Sequence, residues 1–212
     1  MGEQKPFRLW GRTSSSNVKK VMWLADEMGL AYERIDAGGK FGVVNTPAYK
    51  KLNPNSRVPT IEDGDFVLWE SNSIMRYLAN KYGGEAFYPV EPAARASIDR
   101  WLDWQLAMLN PVEGPVFLGT IRTPPEKHDK AALAAAVAKL MPQWAIVEAH
   151  LASRPYMAGD TFSIADIALA IFAHRFLHNP FIMVPPLPNI SAWHGRLRPR
   201  PGFKTHVDVP LE

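Results

Sequence analysis

Phe7-Arg8-Leu9-Trp10-Gly11-Arg12-Thr13-Ser14-Ser15-Ser16-Asn17-Val18-Lys19-Lys20-Val21 is the stretch whose reading decides the fold. Phe7 to Trp10 reads as a strand. Val18, Val21, Met22, Ala25 and Met28 then recur at helical spacing until Gly29 supplies a C-terminal stop. Tyr32 to Asp36 reads as a second strand. Strand, helix and strand in so short a span make a βαβ unit, whose strands should be parallel and whose crossover should be right-handed. Between the first strand and the helix lies a hydroxyl-rich turn. The first N–H groups of a helix have no partner within it and its dipole favours negative charge, so Thr13, Ser14, Ser15, Ser16 and Asn17 read as the lining of an anion cradle.

Outward from this unit the pattern stays mixed as far as residue 83. Pro47 to Leu52 makes a short helix, and Asn53-Pro54-Asn55-Ser56 is turn chemistry. Thr60-Ile61 and Phe66-Val67-Leu68 flank Glu62-Asp63-Gly64-Asp65, which signals a hairpin. Ser71 to Tyr82 closes the region as a helix ended by Gly83-Gly84. From Pro92 only helices are legible. Ile98, Trp101, Leu102, Gln105, Leu106 and Leu109 share one helical face, with Asn110-Pro111 as its stop. An Ala-rich helix covers Lys130 to Ala152, with a kink expected at Pro142. Ser163-Ile164-Ala165-Asp166 has the form of a capping box, flanked by Phe162 and Ile167 as a hydrophobic staple, and starts a helix running through Ala173. Asn189 to Leu197 reads as the last helix, before Arg198-Pro199-Arg200-Pro201-Gly202. The expected organisation is an α/β domain over 1–83, a linker over 84–92 and an all-helical domain over 93–212.

Composition removes several function classes. With no cysteine among 212 residues, disulfides, cysteine nucleophiles and thiolate metal sites are excluded, and any thiol chemistry must use a thiol brought by a ligand. The 24 basic and 21 acidic residues are spread along the chain without a basic stripe, which argues against nucleic acid as a partner. Met1-Gly2-Glu3-Gln4-Lys5-Pro6 has no apolar signal core. Nor does any apolar run reach the roughly 18 residues a membrane span needs, so the expectation is a cytoplasmic protein without a membrane partner.

Asn53-Pro54-(x3)-Val58-Pro59, then Trp69-Glu70-Ser71-(x2)-Ile74-(x2)-Tyr77-Leu78, and finally Phe162-Ser163-Ile164-Ala165-Asp166 together resemble the cytosolic glutathione transferases along essentially the whole chain. The resemblance points to the serine-type, theta- or nu-like bacterial members. It implies a thioredoxin-like N-terminal domain (βαβ-α-ββα) that binds glutathione as co-substrate, and a helical domain that lines the pocket for a small hydrophobic electrophile. It also implies a homodimer and a role in detoxification.

Residue by residue, the resemblance makes Pro59 a cis proline and has the Val58 backbone pair with the cysteinyl backbone of glutathione like an added strand. Glu70 would meet the ligand's ammonium group, and Ser71 with its N–H at a helix start would hold the α-carboxylate. Taken alone, Glu70-Ser71 is better explained as a plain N-terminal cap; Val58-Pro59 read beside it reverses that preference. Arg57 or Lys51, with Lys40 or Asn45 as alternates, would face the glycyl carboxylate. At the sulfur site, the serine-type pattern Ser-(x3)-Arg-(x)-Val selects Ser15 by its distance from Val21, with Lys19 in the Arg position. The nu-like pattern Thr-Pro-Asn-Gly-(x)-Lys selects Ser15 with Asn17, although this chain has serine for the threonine and lacks the proline after it. A slip of one residue would nominate Ser14 or Ser16. The energetics suffice without a base: lowering a thiol from about 8.5 to about 6.5 takes roughly 2.7 kcal/mol. One hydrogen bond to a charged group contributes about 1.5–3 kcal/mol and a helix N-terminus about 0.3–1.

Trp10, Trp104, Met108 and Phe117 are the candidates for contact with the electrophile, although aromatic residues at helical spacing also serve as plain core. Asp166 reads as structural because of its place in the capping box. His174 and His178 have the spacing of a helical metal pair but no acidic third ligand, so no metal is expected and a surface or dimer contact is the reading. Three activities remain open at this point. They are conjugation of glutathione to an electrophile, glutathione-dependent disulfide reduction or peroxidase chemistry, and a non-catalytic binding or protein-interaction module.

Overall fold

A computed structural model describes residues 5–212. Met1 to Gln4, part of the stretch read as lacking a signal core, lie outside the described residues. The chain divides into two units, one running to Glu85 and taking in Pro201–Val207, the other comprising Ala86–Arg200 and Asp208–Glu212.

The first unit begins with β1 (Phe7–Trp10), α1 (Ser16–Glu27) and β2 (Tyr32–Ile35). Phe7 and Leu9 are buried while Arg8 between them is exposed, the alternation of a strand with one covered face. β1 and β2 run parallel with Phe7 opposite Tyr32, as a βαβ unit requires. α2 (Pro47–Leu52) starts where the Thr46 hydroxyl accepts from the Tyr49 N–H at 3.2 Å and Pro47 takes the first turn. β3 (Thr60–Asp63) and β4 (Phe66–Trp69) form the hairpin, and α3 (Ser71–Lys81) follows. The sheet order is β2-β1-β3-β4, with β1 antiparallel to β3 and β3 to β4. This is the thioredoxin-like arrangement read from the sequence. Gly29, at φ 64°, adopts the left-handed conformation that ends α1.

One element of this unit escaped the sequence reading. Pro201–His206 is a further helix, α9, where the sequence had suggested that Leu197 closed the last one. Pro201 is tolerated because it occupies the first helical turn, whose N–H groups have no intrahelical partner anyway. α9 packs on α1, and a Cβ at Gly202 would lie 2.2 Å from Cδ1 of Trp23, so only glycine permits the approach. Phe203 meets the Trp23 ring edge-on at 5.4 Å, and the His206 ring bonds Asp26 at 2.7 Å.

The second unit contains α4 (Pro92–Trp104), α5 (Asn110–Thr120), α6 (Lys130–Leu151), α7 (Ile164–Leu177) and α8 (Pro188–Leu197). Asn110-Pro111 does not stop the helix as expected. Residues Gln105–Leu109 form a π turn in which the Asn110 N–H bonds the Gln105 carbonyl, and the chain continues directly into α5. Proline clashes with the carbonyl four residues before it, and widening the turn makes room for Pro111. Gln105 Nε2 donates to Asn110 Oδ1 at 2.7 Å across the widened turn. α6 likewise runs unbroken past Pro142, and α7 continues beyond Ala173 to Leu177. Contrary to the reading that no apolar run is long enough, α6 is long and apolar enough to cross a membrane by length and composition alone. Its apolarity is that of an Ala-rich helix, and Leu140, Trp144, Val147 and Leu151 turn into the protein core. The capping box is present in full at the start of α7.

Candidate functional site

The turn between β1 and α1 makes one wall of a cavity of about 290 Å³. Ser15 is the N-cap residue of α1, in extended conformation, and its hydroxyl makes no hydrogen bond to the helix it caps. Its backbone is pinned nonetheless, the Ser15 N–H donating to Arg12 O at 3.2 Å and the Ser15 carbonyl accepting from Lys19 at 2.9 Å. Ser15 and Asn17 line the cavity together with Arg12, Gly38, Gly39, Val44, Ser56, Arg57 and Val58. Of the three consecutive serines, Ser15 is the one in this wall. The Ser14 hydroxyl is turned to Arg12, whose Nε donates to it at 3.2 Å. Ser16 is the first residue of α1, and Thr13 is exposed.

Val58, which lines the same cavity, is joined to Pro59 by a cis peptide bond. Two side chains hold this segment from beneath. The Tyr49 hydroxyl donates to the Arg57 carbonyl at 2.6 Å, and Asn53 Nδ2 donates to the same oxygen at 2.9 Å. Both also reach the Thr60 hydroxyl. The Arg57 carbonyl is thereby fully engaged, and Val58 is left at the cavity wall ahead of a proline that cannot donate.

The third component is the start of α3. Glu70 has φ 72°, a left-handed backbone that a non-glycine residue adopts at a cost of order 1–3 kcal/mol. Its side chain makes no cap to the helix. Ser71 is buried and its hydroxyl donates to Asn17 Oδ1 at 3.3 Å, which joins the start of α3 to that of α1. Behind this contact lies Lys20, fully buried, donating to Asn72 Oδ1 at 3.1 Å.

The structure thus brings Ser15, Asn17, Arg57 and Val58 to one cavity and bonds Ser71 to one of them. Lys40, Asn45, Lys51 and Glu70 are exposed; Lys40 lies over the Phe41 ring and Lys51 in the last turn of α2. Trp10 is held within the first unit, its Nε1 donating to Glu62 at 2.8 Å and its ring meeting Tyr49 edge-on. In the helical unit, Trp104 meets Trp101 edge-on, Met108 is exposed on the π turn, and the Phe117 ring is covered by the Arg175 guanidinium at 3.3 Å.

Two residues at this site were missed by sequence reasoning. Arg12 stands just before the residues read as the lining of the turn. Its side chain lies against Gly38 and Gly39, where added Cβ atoms would come within 3.1 Å of it, so the paired glycines after β2 were the available signal. Lys20 follows Lys19 in the sequence, and nothing local marks it as buried. Burial lowers its pKa to about 7 from an ordinary value of 10.5, with Glu70 pulling the other way. The unfolded chain therefore holds this proton more tightly than the folded one. Between about pH 7 and 10.5 the Lys20 contribution makes stability rise with pH, by up to about 1.4 kcal/mol per pH unit. Urea unfolding at several pH values is expected to show this slope in the wild type and to lose it in Lys20→Met. Equal slopes in the two proteins would contradict the burial argument.

Comparison with known proteins gives a consistent result. Residues 5–80 match the family model for the glutathione S-transferase N-terminal domain, and residues 130–196 match the model for the C-terminal domain. The chain is 38% identical to glutathione S-transferase GstB of Escherichia coli K12, over 96% of this chain and 98% of that protein. It is 33% identical to glutathione S-transferase 3 of Zea mays, over 97% of this chain and 96% of that one. The crystal structure of a theta class glutathione S-transferase from Xanthomonas axonopodis pv. citri with glutathione bound superposes with a TM-score of 0.93, at 45% identity and covering 98% and 100% of the two chains.

Proposed function

Because this chain belongs to the glutathione S-transferase family, we propose that it joins the sulfur of glutathione, its co-substrate, to a hydrophobic electrophile, with Ser15 holding the sulfur as thiolate. The observation that carries the assignment of Ser15 is its hydroxyl, unspent on the helix cap, in the cavity that Val58 also lines. A thiol laid along Val58 would receive a hydrogen bond from that hydroxyl and the favourable end of the α1 dipole, which together are enough to ionise it near neutral pH. The thiolate then attacks the electrophilic carbon and the leaving group departs with the electron pair.

Around that centre the reading assigns the cysteinyl backbone to Val58, the γ-glutamyl group to Glu70 and Ser71, and the glycyl carboxylate to Arg57. Lys51, Lys40 and Asn45 are the alternates for the glycyl end. The first 83 residues would serve glutathione, and the helical region over 93–212 would supply Trp104, Met108 and Phe117 to the electrophile. The assembly is read as a cytoplasmic homodimer serving detoxification, as the family resemblance implies.

Asn17, in the same wall as Ser15, favours a second reaction on the same thiolate. In glutathione-dependent disulfide reduction, a first thiolate displaces one half of a disulfide as thiolate, and a second glutathione displaces the other half to give glutathione disulfide. Because the chain has no cysteine, both thiols must come from glutathione.

Retention on immobilised glutathione tests the ligand, and initial rates with a chloronitrobenzene and with hydroxyethyl disulfide separate the two reactions. The expected result is retention with measurable conjugation. A chain that is not retained and turns over neither substrate would be a non-catalytic module and would sink the proposal.

A further inference from the structure

Away from the glutathione cavity, the helical unit carries a second cluster that sequence spacing only half revealed. His174 lies in the last turn of α7 and His178, one turn on, is its C-cap residue, and α8 brings His194 to them. Nδ1 of His174 and Nε2 of His194 are 3.2 Å apart, and one ring nitrogen from each of the three histidines lies within 4.8 Å of the others. We infer that His174, His178 and His194 form a binding site for one divalent transition-metal ion of the zinc type, independent of the glutathione chemistry.

Three observations support this. The first is spacing. At zinc–nitrogen distances of about 2.0–2.1 Å, two tetrahedral ligands stand roughly 3.3 Å apart, so His174 and His194 already span one edge of a tetrahedron. The second is the orientation of His178. Its Nδ1 donates to the His174 carbonyl at 2.9 Å, which fixes the tautomer and leaves Nε2 with its lone pair. A ligand histidine is commonly held in this way through its other nitrogen. The His178 ring is exposed and stacks on His174 at 4.2 Å, beside the pair it would join. The third is access. His174, His178 and Asp208 line an open cavity of about 780 Å³, which gives an ion a route in and places a carboxylate nearby. Asp208 is bonded to Arg198 through Oδ2 at 3.1 Å, and Arg122 also lines the cavity, so the aspartate is a charge partner to the ion while the three imidazoles supply the ligand set.

On binding, the metal takes the place of the hydrogen shared between His174 and His194, and the ring that carried it shifts that proton to its other nitrogen. No oxidant or reductant is involved. A set of neutral imidazoles suits zinc, cobalt, nickel and copper and has little affinity for magnesium or calcium. An ion held there would clip α7 to α8.

The test uses the full, untagged chain stripped with a chelator and free of glutathione. Co²⁺ is titrated with the visible d–d bands recorded, and Zn²⁺ is titrated by calorimetry. One ion per chain with a tetrahedral cobalt spectrum is expected. His178→Ala, at an exposed ring, should fold normally by circular dichroism, weaken Zn²⁺ binding at least about tenfold and abolish the spectrum. His206→Ala, which alters the ring paired with Asp26 in the other unit, should leave both unchanged. The inference is overturned if no stoichiometric ion binds, if His178→Ala binds as the wild type does, or if His206→Ala loses as much. Glutathione retention is a separate readout, so this site can fail while the proposed function stands, and the reverse.

Discussion

Ser15→Ala is expected to lower kcat/KM for conjugation about 10- to 100-fold and to raise the pKa of bound glutathione by roughly one to two units. The magnitude follows from removing one hydrogen bond to a charged acceptor, about 1.5–3 kcal/mol, at 1.4 kcal/mol per tenfold. The α1 dipole and backbone N–H groups remain, so the bound thiol should still ionise somewhat more readily than in water. The variant separates chemistry from folding because the Ser15 hydroxyl makes no cap hydrogen bond, and its loss should leave α1 nearly as stable as before. Thiolate absorbance of the protein–glutathione complex across pH reads the shift directly. Ser14→Ala is the control, since the Ser14 hydroxyl is engaged with Arg12. A Ser15→Ala enzyme with unchanged rate and thiol titration, beside a crippled Ser14→Ala or Ser16→Ala, would move the sulfur site by one residue.

What could be read in the sequence was what is local. The βαβ unit, the hairpin and the Ser163–Asp166 capping box are each written within a few residues, because periodicity, turn chemistry and capping act over one or two turns. Features that depend on distant partners left almost no local trace. His194 gains its meaning only when α8 is laid beside α7, so the histidine pair appeared to lack a third member. Lys20 is a buried amine bonded to Asn72 of α3, a partner 52 residues away in sequence. The punctuation residues misled where packing overrode them. Pro201-Gly202 opens α9, since the missing Cβ is what lets the helix reach Trp23, and Pro111 widens a helix without ending it. The cavity at Ser15 lies between these cases. Its serines and Val58-Pro59 were legible, whereas the choice among Ser14, Ser15 and Ser16 depends on which hydroxyl Arg12 engages and which faces the cavity.

Asp166→Ala is expected to destabilise the protein by about 3–5 kcal/mol. The side chain is fully buried and accepts from the Met157 N–H at 2.8 Å, the Ser163 N–H at 2.8 Å, the Ser163 hydroxyl at 3.1 Å and Trp193 Nε1 at 2.8 Å. Burial pushes its carboxyl upward, and these same four donors oppose the shift. Three of the four donors are N–H groups with no lone pair to offer, so the ionised form is the one this pocket accommodates. Alanine would leave three buried N–H groups without an acceptor, each costing about 1–3 kcal/mol, and would remove half of the capping box. Asp166→Asn separates hydrogen bonding from packing. The amide has nearly the same volume, but its NH₂ must point at donors on one side, so Asn should recover only part of the loss. With a urea m-value of roughly 1–3 kcal/mol/M, the alanine variant should unfold one or more molar earlier than the wild type. An Asp166→Asn midpoint equal to that of the wild type would mean that shape, and not charge, holds the start of α7 to Trp193 and Met157.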